Sequence, residues 1–195
     1  MTPAFLRLFL ALAVPPDVRR EIGRAQGQLQ RHSPPGAIRW TKPEQFHVTL
    51  KFLGDVPVES VATLEQSAAE VCARFPALRL SARGVGFFPN ERQPRVVWAG
   101  ADDDLRQLPE LYWQLDAALR WLAPAEKPAK FSGHITLGRC KPGHHAALPK
   151  LLERAAVFRG RHFGDWQAGE VEMVRSDLTS TGSEHAVIAS LPLKR

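Results

Sequence analysis

Apolar and polar residues alternate along the chain with two periods, one typical of β-strands and one typical of helices. The strand-like runs, which are rich in apolar and β-branched residues, lie at 6–14, 46–53, 78–82, 95–99, 131–139, 171–178 and 185–193, the last two as a closing hairpin. Apolar residues three or four positions apart predict helices at 17–31, 58–73, 105–122 and 146–158. These elements lack the uniform spacing of a doubly wound sheet, so the pattern favours an α+β fold.

The chain length limits the number of domains. A chain of 195 residues can bury a core as one domain or as two small lobes that share a cleft. We therefore expect a single bilobal domain over 1–195, with sequence halves at about 1–100 and 101–195. The segment Gly84-Val85-Gly86 lacks the third glycine of a dinucleotide-binding loop and runs into no helix, so we expect no nucleotide cofactor.

The amino-acid composition gives the chain a net positive charge and favours an intracellular location. Lys and Arg exceed Asp and Glu by 26 to 20, a net charge of +6 that favours a polyanionic partner. The two cysteines, Cys72 and Cys140, are too few for a disulfide framework. The apolar run at 8–14 is at the lower limit for a signal peptide, and no run approaches the roughly 18 residues of a membrane span. We expect a cytoplasmic protein without a membrane segment.

One short motif occurs twice, as His47-Val48-Thr49-Leu50 and as His134-Ile135-Thr136-Leu137. Seven His and seven Thr in 195 residues give roughly 0.25 His-x-Thr pairs by chance, so two matching copies are a strong signal. Side chains alternate across a strand, which places the His and Thr of each copy on one face and the two apolar residues on the other. We expect both polar faces to line one groove, around one small anion.

Two imidazoles and two hydroxyls suit the hydrolysis of a phosphodiester. A neutral His can take a proton from water while a protonated His donates one to the leaving oxygen, and a reference pKa of about 6.5 allows both roles. Threonine hydroxyls can hold the phosphate oxygens as negative charge develops. The structural alternative is that each His is a half-buried strand residue bonded to a backbone carbonyl.

The sequence resembles the two-histidine phosphoesterase superfamily, in particular its RNA 2′,3′-cyclic phosphodiesterases, the "2′-5′ RNA ligase" group. The resemblance covers nearly the whole chain and rests on the final hairpin and on four segments, 7–12 (RLFLAL), 47–54 (HVTLKFLG), 94–100 (PRVVWAG) and 131–139 (FSGHITLGR). It implies a bilobal α+β fold of two pseudo-symmetric sheet lobes with outer helices around a basic central groove. It also implies hydrolysis of 2′,3′-cyclic phosphate ends to 2′-phosphates, without metal or cofactor, and reversible ATP-independent 2′-5′ RNA ligation.

The resemblance implies a role for each motif residue. His47 is expected to be the proton donor to O3′ and His134 the proton acceptor from water, although the sequence alone does not fix which is which. Thr49 and Thr136 are expected to bind the phosphate.

Three further residues are expected to contact substrate. Phe52 and Arg139 stand five residues after their histidines and could hold a base between them. Lys51, which shares the strand face of His47 and Thr49, could attract the phosphate. We expect a monomer acting on RNA with 2′,3′-cyclic phosphate ends, such as tRNA halves, or on cyclic nucleotides.

Two positions depart from the family pattern. Gly133 stands where a proline commonly precedes the second motif, and we expect it to loosen the backbone next to His134. His185 stands in the last hairpin, where a tyrosine is frequent.

Other candidates for function are weaker. The pair His144-His145 is interpreted as a polar loop, and the run 102–104 of three Asp as the start of a helix, so neither predicts a metal site. Four residues could line an RNA path or serve other roles, namely Trp40, Arg92, Arg95 and Trp98. Two other functions remain open: a non-catalytic RNA-binding module, or a two-histidine phosphodiesterase for another small cyclic or 2′-5′ linked nucleotide.

Overall fold

The structure is a computed structural model that describes residues 4–122, 131–142, 148–179 and 182–194. Within these ranges the strands are β1 (Phe5–Ala13), β2 (Ile38–Trp40), β3 (His47–Pro57), β4 (Leu78–Phe88), β5 (Val96–Asp102), β6 (His134–Cys140), β7 (His162–Ala168), β8 (Glu170–Thr179) and β9 (Gly182–Pro192). The helices are α1 (Pro16–Arg31), α2 (Val61–Cys72), α3 (Gln107–Ala118) and α4 (Pro149–Ala156), with 3-10 turns at Pro43–Gln45 and Val58–Ser60. The α+β fold class is confirmed.

The strands form one antiparallel sheet in the order β7-β4-β5-β6-β3-β1-β8-β9, and β2 also pairs with β6. The two central strands, β6 and β3, carry the two His-x-Thr motifs. They pair with each other only through Val48 and Ile135, the middle residues of the motifs. Each motif strand then leads outward into a set of antiparallel strands of its own, so the sheet has two halves that meet at the motifs.

The halves of the sheet do not follow the halves of the sequence. One half combines β1 and β3 from the start of the chain with β8 and β9 from its end. The other half combines β4 and β5, which precede α3, with β6 and β7, which follow it. The predicted division near residue 100 is therefore not visible in the strand pairing, and the single bilobal domain stays a prediction.

Both motif strands contain a β-bulge at the same place. The pairing register skips Leu50 in β3 and Leu137 in β6, each the residue directly after the motif threonine. A bulge inserts one residue and so reverses the alternation of the side chains that follow it. As a result Phe52 and Arg139, an odd number of residues from their histidines, return to the polar face.

The helices cover one face of the sheet and the core lies between them. The apolar motif residues Val48, Leu50, Ile135 and Leu137 are almost completely buried and belong to the same cluster as the apolar residues of all four helices. The opposite face carries the motif histidines and threonines, all half-buried. The period-2 pattern thus predicted correctly which face of each His-x-Thr motif is buried, and the period-3.6 pattern predicted the buried residues of α1, namely Val18, Ile22, Ala25 and Leu29.

Two strands, β2 and β7, were not predicted from the sequence. β2 has three residues, too few to show a periodicity, and β7 contains Gly164 and Asp165, which are uncommon in strands. β4 continues to Phe88, well beyond the predicted end at Ala82. The start of the helix predicted at 146 lies outside the described residues.

Candidate active site

A groove of about 550 Å³ lies on the polar face of the sheet, where β3 meets β6. His47, Thr49, His134 and Thr136 all line it. The two motifs, remote in sequence, are brought together as predicted because their strands are neighbours at the centre of the sheet.

The two histidines are held in the same way. The Nδ1 of His47 donates to the carbonyl of Gln45 at 2.8 Å, and the Nδ1 of His134 donates to the carbonyl of Ser132 at 2.8 Å. A carbonyl can only accept, so these bonds place the proton of the neutral ring on Nδ1. Nε2 is then the basic nitrogen of the neutral ring and becomes the acidic N–H when the ring is protonated.

The surroundings of the two rings differ. His47 stacks on Phe9, with ring centroids 4.9 Å apart, and meets the edge of His185 at 5.5 Å. His185 also contacts Phe9 at 5.1 Å, so the three rings form one cluster. His134 has one ring contact among the described residues, an edge-to-face contact with Phe88 at 4.9 Å.

These surroundings shift the pKa of both histidines downward. Burial lowers the pKa of His47 to about 4, the bond to the Gln45 carbonyl opposes the shift, and the charges of His185, His134 and Arg139 add to it. Burial also lowers the pKa of His134, with Arg139 adding to the shift. Both shifts favour the neutral form of the imidazoles in the free protein.

The two predicted base-contacting residues also reach the groove. Phe52 is 62% exposed and its ring lies 5.9 Å from that of Phe9. Arg139 is exposed on the same polar face, in the other half of the sheet. The matched bulges in β3 and β6 place both side chains there.

Lys51 does not share the face of His47, and the expectation that it attracts the phosphate is wrong. The bulge at Leu50 turns Lys51 to the helix side of the sheet, where it is 8% exposed. Its Nζ donates to Asp116 Oδ1 of α3 at 2.7 Å. Lys51 therefore ties the motif strand to α3 and is separated from the groove by the sheet.

Gly133 is tightly packed, which differs from the expected loosening. A Cβ at this position would lie 2.2 Å from the carbonyl oxygen of Ala101 and 2.9 Å from Leu108 Cδ2. The Gly133 carbonyl also accepts from the Ala101 N–H at 3.0 Å. Because Gly133 has no side chain, β5 can approach the backbone closely at this position, directly before His134.

The structure adds groove residues that the motifs did not indicate. Arg7, Arg39 and Lys42 line the groove, as do the hairpin residues Glu184 and His185. No repeat marks these positions, and only the departure from the family's tyrosine drew attention to His185.

The four residues weighed for an RNA path have different positions. Trp40 lines the groove. Trp98 lies opposite Thr136 on β5 and packs so closely on Gly86 that no Cβ would fit there. Arg92 and Arg95 are exposed and do not line the groove.

In the described part of the chain, no three His, Cys, Asp or Glu side chains are grouped to hold a metal ion. Asp103 accepts from the N–H of Gln107, the first residue of α3, which agrees with the interpretation of the Asp run as a helix start. The pair His144-His145 lies outside the described residues. Over those same ranges no helix has the length and apolar character to cross a membrane.

Comparison with known proteins identifies relatives along the whole chain. The "LigT like Phosphoesterase" family profile matches residues 12–98. An RNA 2′,3′-cyclic phosphodiesterase of Methanothermobacter thermautotrophicus is 30% identical over 180 residues, which cover 91% of this chain and 93% of that protein. One of Thermus thermophilus is 30% identical over 196 residues, with 97% and 91% covered.

Solved structures show the same fold. A crystal structure of a Thermus thermophilus protein has a TM-score of 0.78 at 29% identity and covers 97% of this chain and 98% of its own. The E. coli LigT protein complexed with NADP+ has a TM-score of 0.73 at 26% identity, with 98% and 99% covered. The identity over nearly full length, the shared fold and the paired His-x-Thr strands agree, and the chain belongs to the LigT-like family of two-histidine phosphoesterases.

Proposed function

We propose that this enzyme is an RNA 2′,3′-cyclic phosphodiesterase that hydrolyses 2′,3′-cyclic phosphate ends to 2′-phosphates without a metal ion. One observation carries the proposal: two imidazoles, each fixed through Nδ1, and two threonine hydroxyls line one groove. The relatives named for this activity, similar over nearly the whole chain, support the choice of substrate.

The proposed reaction is one in-line displacement at phosphorus. Water attacks the phosphorus opposite O3′, and Nε2 of His134 takes a proton from the water. The P–O3′ bond breaks as Nε2–H of His47 gives its proton to O3′, leaving a 2′-phosphate and a free 3′-hydroxyl. Thr49 and Thr136 donate hydrogen bonds to the non-bridging oxygens as charge develops on them.

The proton that His47 donates must be acquired with the substrate. A phosphate anion in the groove favours the charged form of each imidazole and so raises its pKa. Phe52 and Arg139 hold the terminal base between them from opposite halves of the sheet. The expected substrates are RNA ends, such as tRNA halves, or cyclic nucleotides in the cytoplasm, and the enzyme is expected to act as a monomer.

The direct test is hydrolysis of nucleoside 2′,3′-cyclic phosphates with and without EDTA, with the product identified by phosphorus NMR. We expect a 2′-phosphate as the sole product and no effect of EDTA. His47→Ala and His134→Ala should each lower kcat by about 10²–10⁴, the usual effect of an acid or base group. His32→Ala, at an exposed histidine beyond α1, is the matched control. Undiminished turnover in both active-site variants would contradict the proposal.

A substrate with sulfur in place of O3′ tests which histidine is the acid and which is the base. Sulfur at the 3′ position leaves as a thiolate without protonation, so an acid is no longer needed while the base still is. We expect the 3′-thio analogue to restore much of the activity of His47→Ala and little of that of His134→Ala. The opposite result would exchange the two roles.

Two related functions use the same site. With an RNA 5′-hydroxyl in place of water, the same displacement forms a 2′-5′ linkage, which is the ATP-independent ligation of the original expectation. A substrate panel that includes other cyclic and 2′-5′ linked nucleotides tests whether another small nucleotide is preferred. RNA binding without turnover of any of these would support the non-catalytic alternative.

A further inference from the structure

Two arginines lie side by side at one end of the groove. Arg39 of β2 pairs directly with Arg139 of β6 in the antiparallel register, so their side chains point to the same face. Directly opposed residues have Cβ atoms about 4.5–5.5 Å apart. Both side chains are exposed and line the groove.

Neither arginine of this pair has an acidic partner within the described ranges of the chain. Among the described residues no carboxylate lies within 4.0 Å of either guanidinium, whereas other arginines, such as Arg159 and Arg175, have one. Lys42, three residues after Arg39, adds a further cation to the lining of the groove. Like charges directly opposite each other on neighbouring strands destabilise the sheet. An anion bound between them would reduce the repulsion between the two guanidinium groups.

Side-chain and backbone hydrogen bonds hold the short strand β2, which carries Arg39, against β6. The side-chain amide of Gln26, only 3% exposed, donates to the carbonyls of Thr41 at 2.7 Å and Leu137 at 2.9 Å, and so joins β2 to β6. The Thr41 N–H donates to the Leu137 carbonyl at 2.9 Å. Gly138 lets the strands approach, because a Cβ there would lie 2.7 Å from Ile38. A buried glutamine thus fixes Arg39 beside Arg139.

We infer that Arg39, with Lys42 beside it, binds the phosphate on the 5′ side of the terminal nucleotide, which makes the groove a site for a 5′-phosphorylated or internal RNA end. The inference rests on the proposed function, which places the cyclic phosphate at Thr49 and Thr136. Arg139 remains available to stack on the base, since a phosphate on Arg39 neutralises the adjacent charge.

Arg39 and Arg139 lie farther along the groove than the motif threonines. Arg139 follows Thr136 by three residues, which is about 10 Å along an extended strand and less across a bulge. Arg39 pairs with Arg139, so its long side chain lies near the hydroxyls that hold the reacting phosphate without sharing their place, which suits the next phosphate of the chain. A guanidinium forms two parallel hydrogen bonds with a phosphate, which suits recognition of a single group.

The test compares three substrates: adenosine 2′,3′-cyclic phosphate, the same compound with a 5′-phosphate, and ApA ending in a 2′,3′-cyclic phosphate. For the unchanged enzyme we expect the 5′-phosphate to raise kcat/KM by about tenfold or more, the usual effect of one charge-assisted hydrogen bond. Arg39→Gln should remove most of that gain, and Arg39→Lys should keep part of it. Arg79→Gln, an exposed arginine of β4 outside the groove, should keep all of it.

The outcomes separate this inference from the proposed function. Hydrolysis of all three substrates at equal kcat/KM, or an unchanged gain in Arg39→Gln, overturns the phosphate subsite and leaves the cyclic phosphodiesterase intact. A gain seen only with ApA assigns the preference to the second base and also overturns it. Absence of hydrolysis of every substrate by the unchanged enzyme overturns the proposed function itself, and the subsite with it.

Discussion

At the residue scale, one hydrogen bond defines the chemistry of each motif histidine. Nδ1 is bonded to the carbonyl two residues earlier in both copies, which leaves Nε2 for the groove. The two rings nevertheless differ, because His47 is enclosed by Phe9 and His185 while His134 contacts only Phe88 among the described aromatic rings. A symmetric motif is thus placed in asymmetric surroundings, as an acid and a base require.

The lowered pKa values predict a dependence on pH. The profile of kcat/KM reports the free enzyme and that of kcat reports the complex. Burial lowers the pKa of His47 to about 4 and also lowers that of His134 in the free protein, whereas a bound phosphate anion raises both. We therefore expect both limbs of the kcat profile at higher pH than those of kcat/KM, measured on a cyclic nucleotide. Coincident profiles would contradict this.

At the element scale, the bulges after each motif threonine decide which side chains reach the groove. They bring Phe52 and Arg139 to the polar face and turn Lys51 to the helices. The buried ion pair of Lys51 with Asp116 is the consequence on the other face. Regular alternation predicts the opposite for Lys51, and the structure shows why that prediction fails.

The buried pair predicts an effect on stability without an effect on chemistry. Lys51→Met leaves the Asp116 carboxylate with only the exposed Arg120, at 3.5 Å, and should lower the free energy of unfolding by about 3 kcal/mol in urea denaturation. The double variant Lys51→Met with Asp116→Leu should recover most of this loss, because no buried charge remains.

Two further measurements complete this test. Lys150→Met, at an exposed lysine of α4, should unfold like the unchanged protein. The kcat of Lys51→Met below its unfolding temperature should stay within about twofold, since a group outside the groove makes no transition-state contact. A loss of kcat as large as that of a histidine variant would indicate that Lys51 takes part in the reaction.

At the scale of the whole molecule, the strand order joins distant parts of the chain. β1 lies between β3 and β8, and β5 lies between β4 and β6, so each half of the sheet needs strands from both halves of the sequence. The motif strands meet through a single residue pair at the centre. The apolar residues of all four helices share one core cluster across both halves.

This topology predicts cooperative unfolding. Tryptophan fluorescence reports five residues, three of which (Trp40, Trp98 and Trp166) lie in three different strands. Fluorescence and far-ultraviolet circular dichroism should give coincident urea transitions. A fragment of residues 1–102 should not fold, because β1 and β5 lose the neighbours β8 and β6. A cooperative transition in that fragment would show that the sequence halves are independent units.

Much of the site could be predicted from the sequence because its signal is local and repeated. Two His-x-Thr copies, each in a strand with an apolar opposite face, predict a shared groove without any knowledge of the connections between strands. Arg39 and His185 could not be predicted in this way. Arg39 lies on a three-residue strand that pairs with β6, which comes far later in the chain. His185 lies on the closing hairpin and meets His47 only through the packing of that hairpin on the sheet. Neither residue belongs to a periodic pattern.

The sequence by itself determined the α+β class, the buried face of the two motifs and of α1, and the pairing of the His-x-Thr motifs, because periodicity and motif spacing act over a few residues. The tertiary structure alone decided the strand order, the bulges that exchange Lys51 for Phe52 on the polar face, and the place of Arg39 beside Arg139. Register depends on which strands pair and on where the ladder gains a residue, and both are set by packing between segments far apart in the chain.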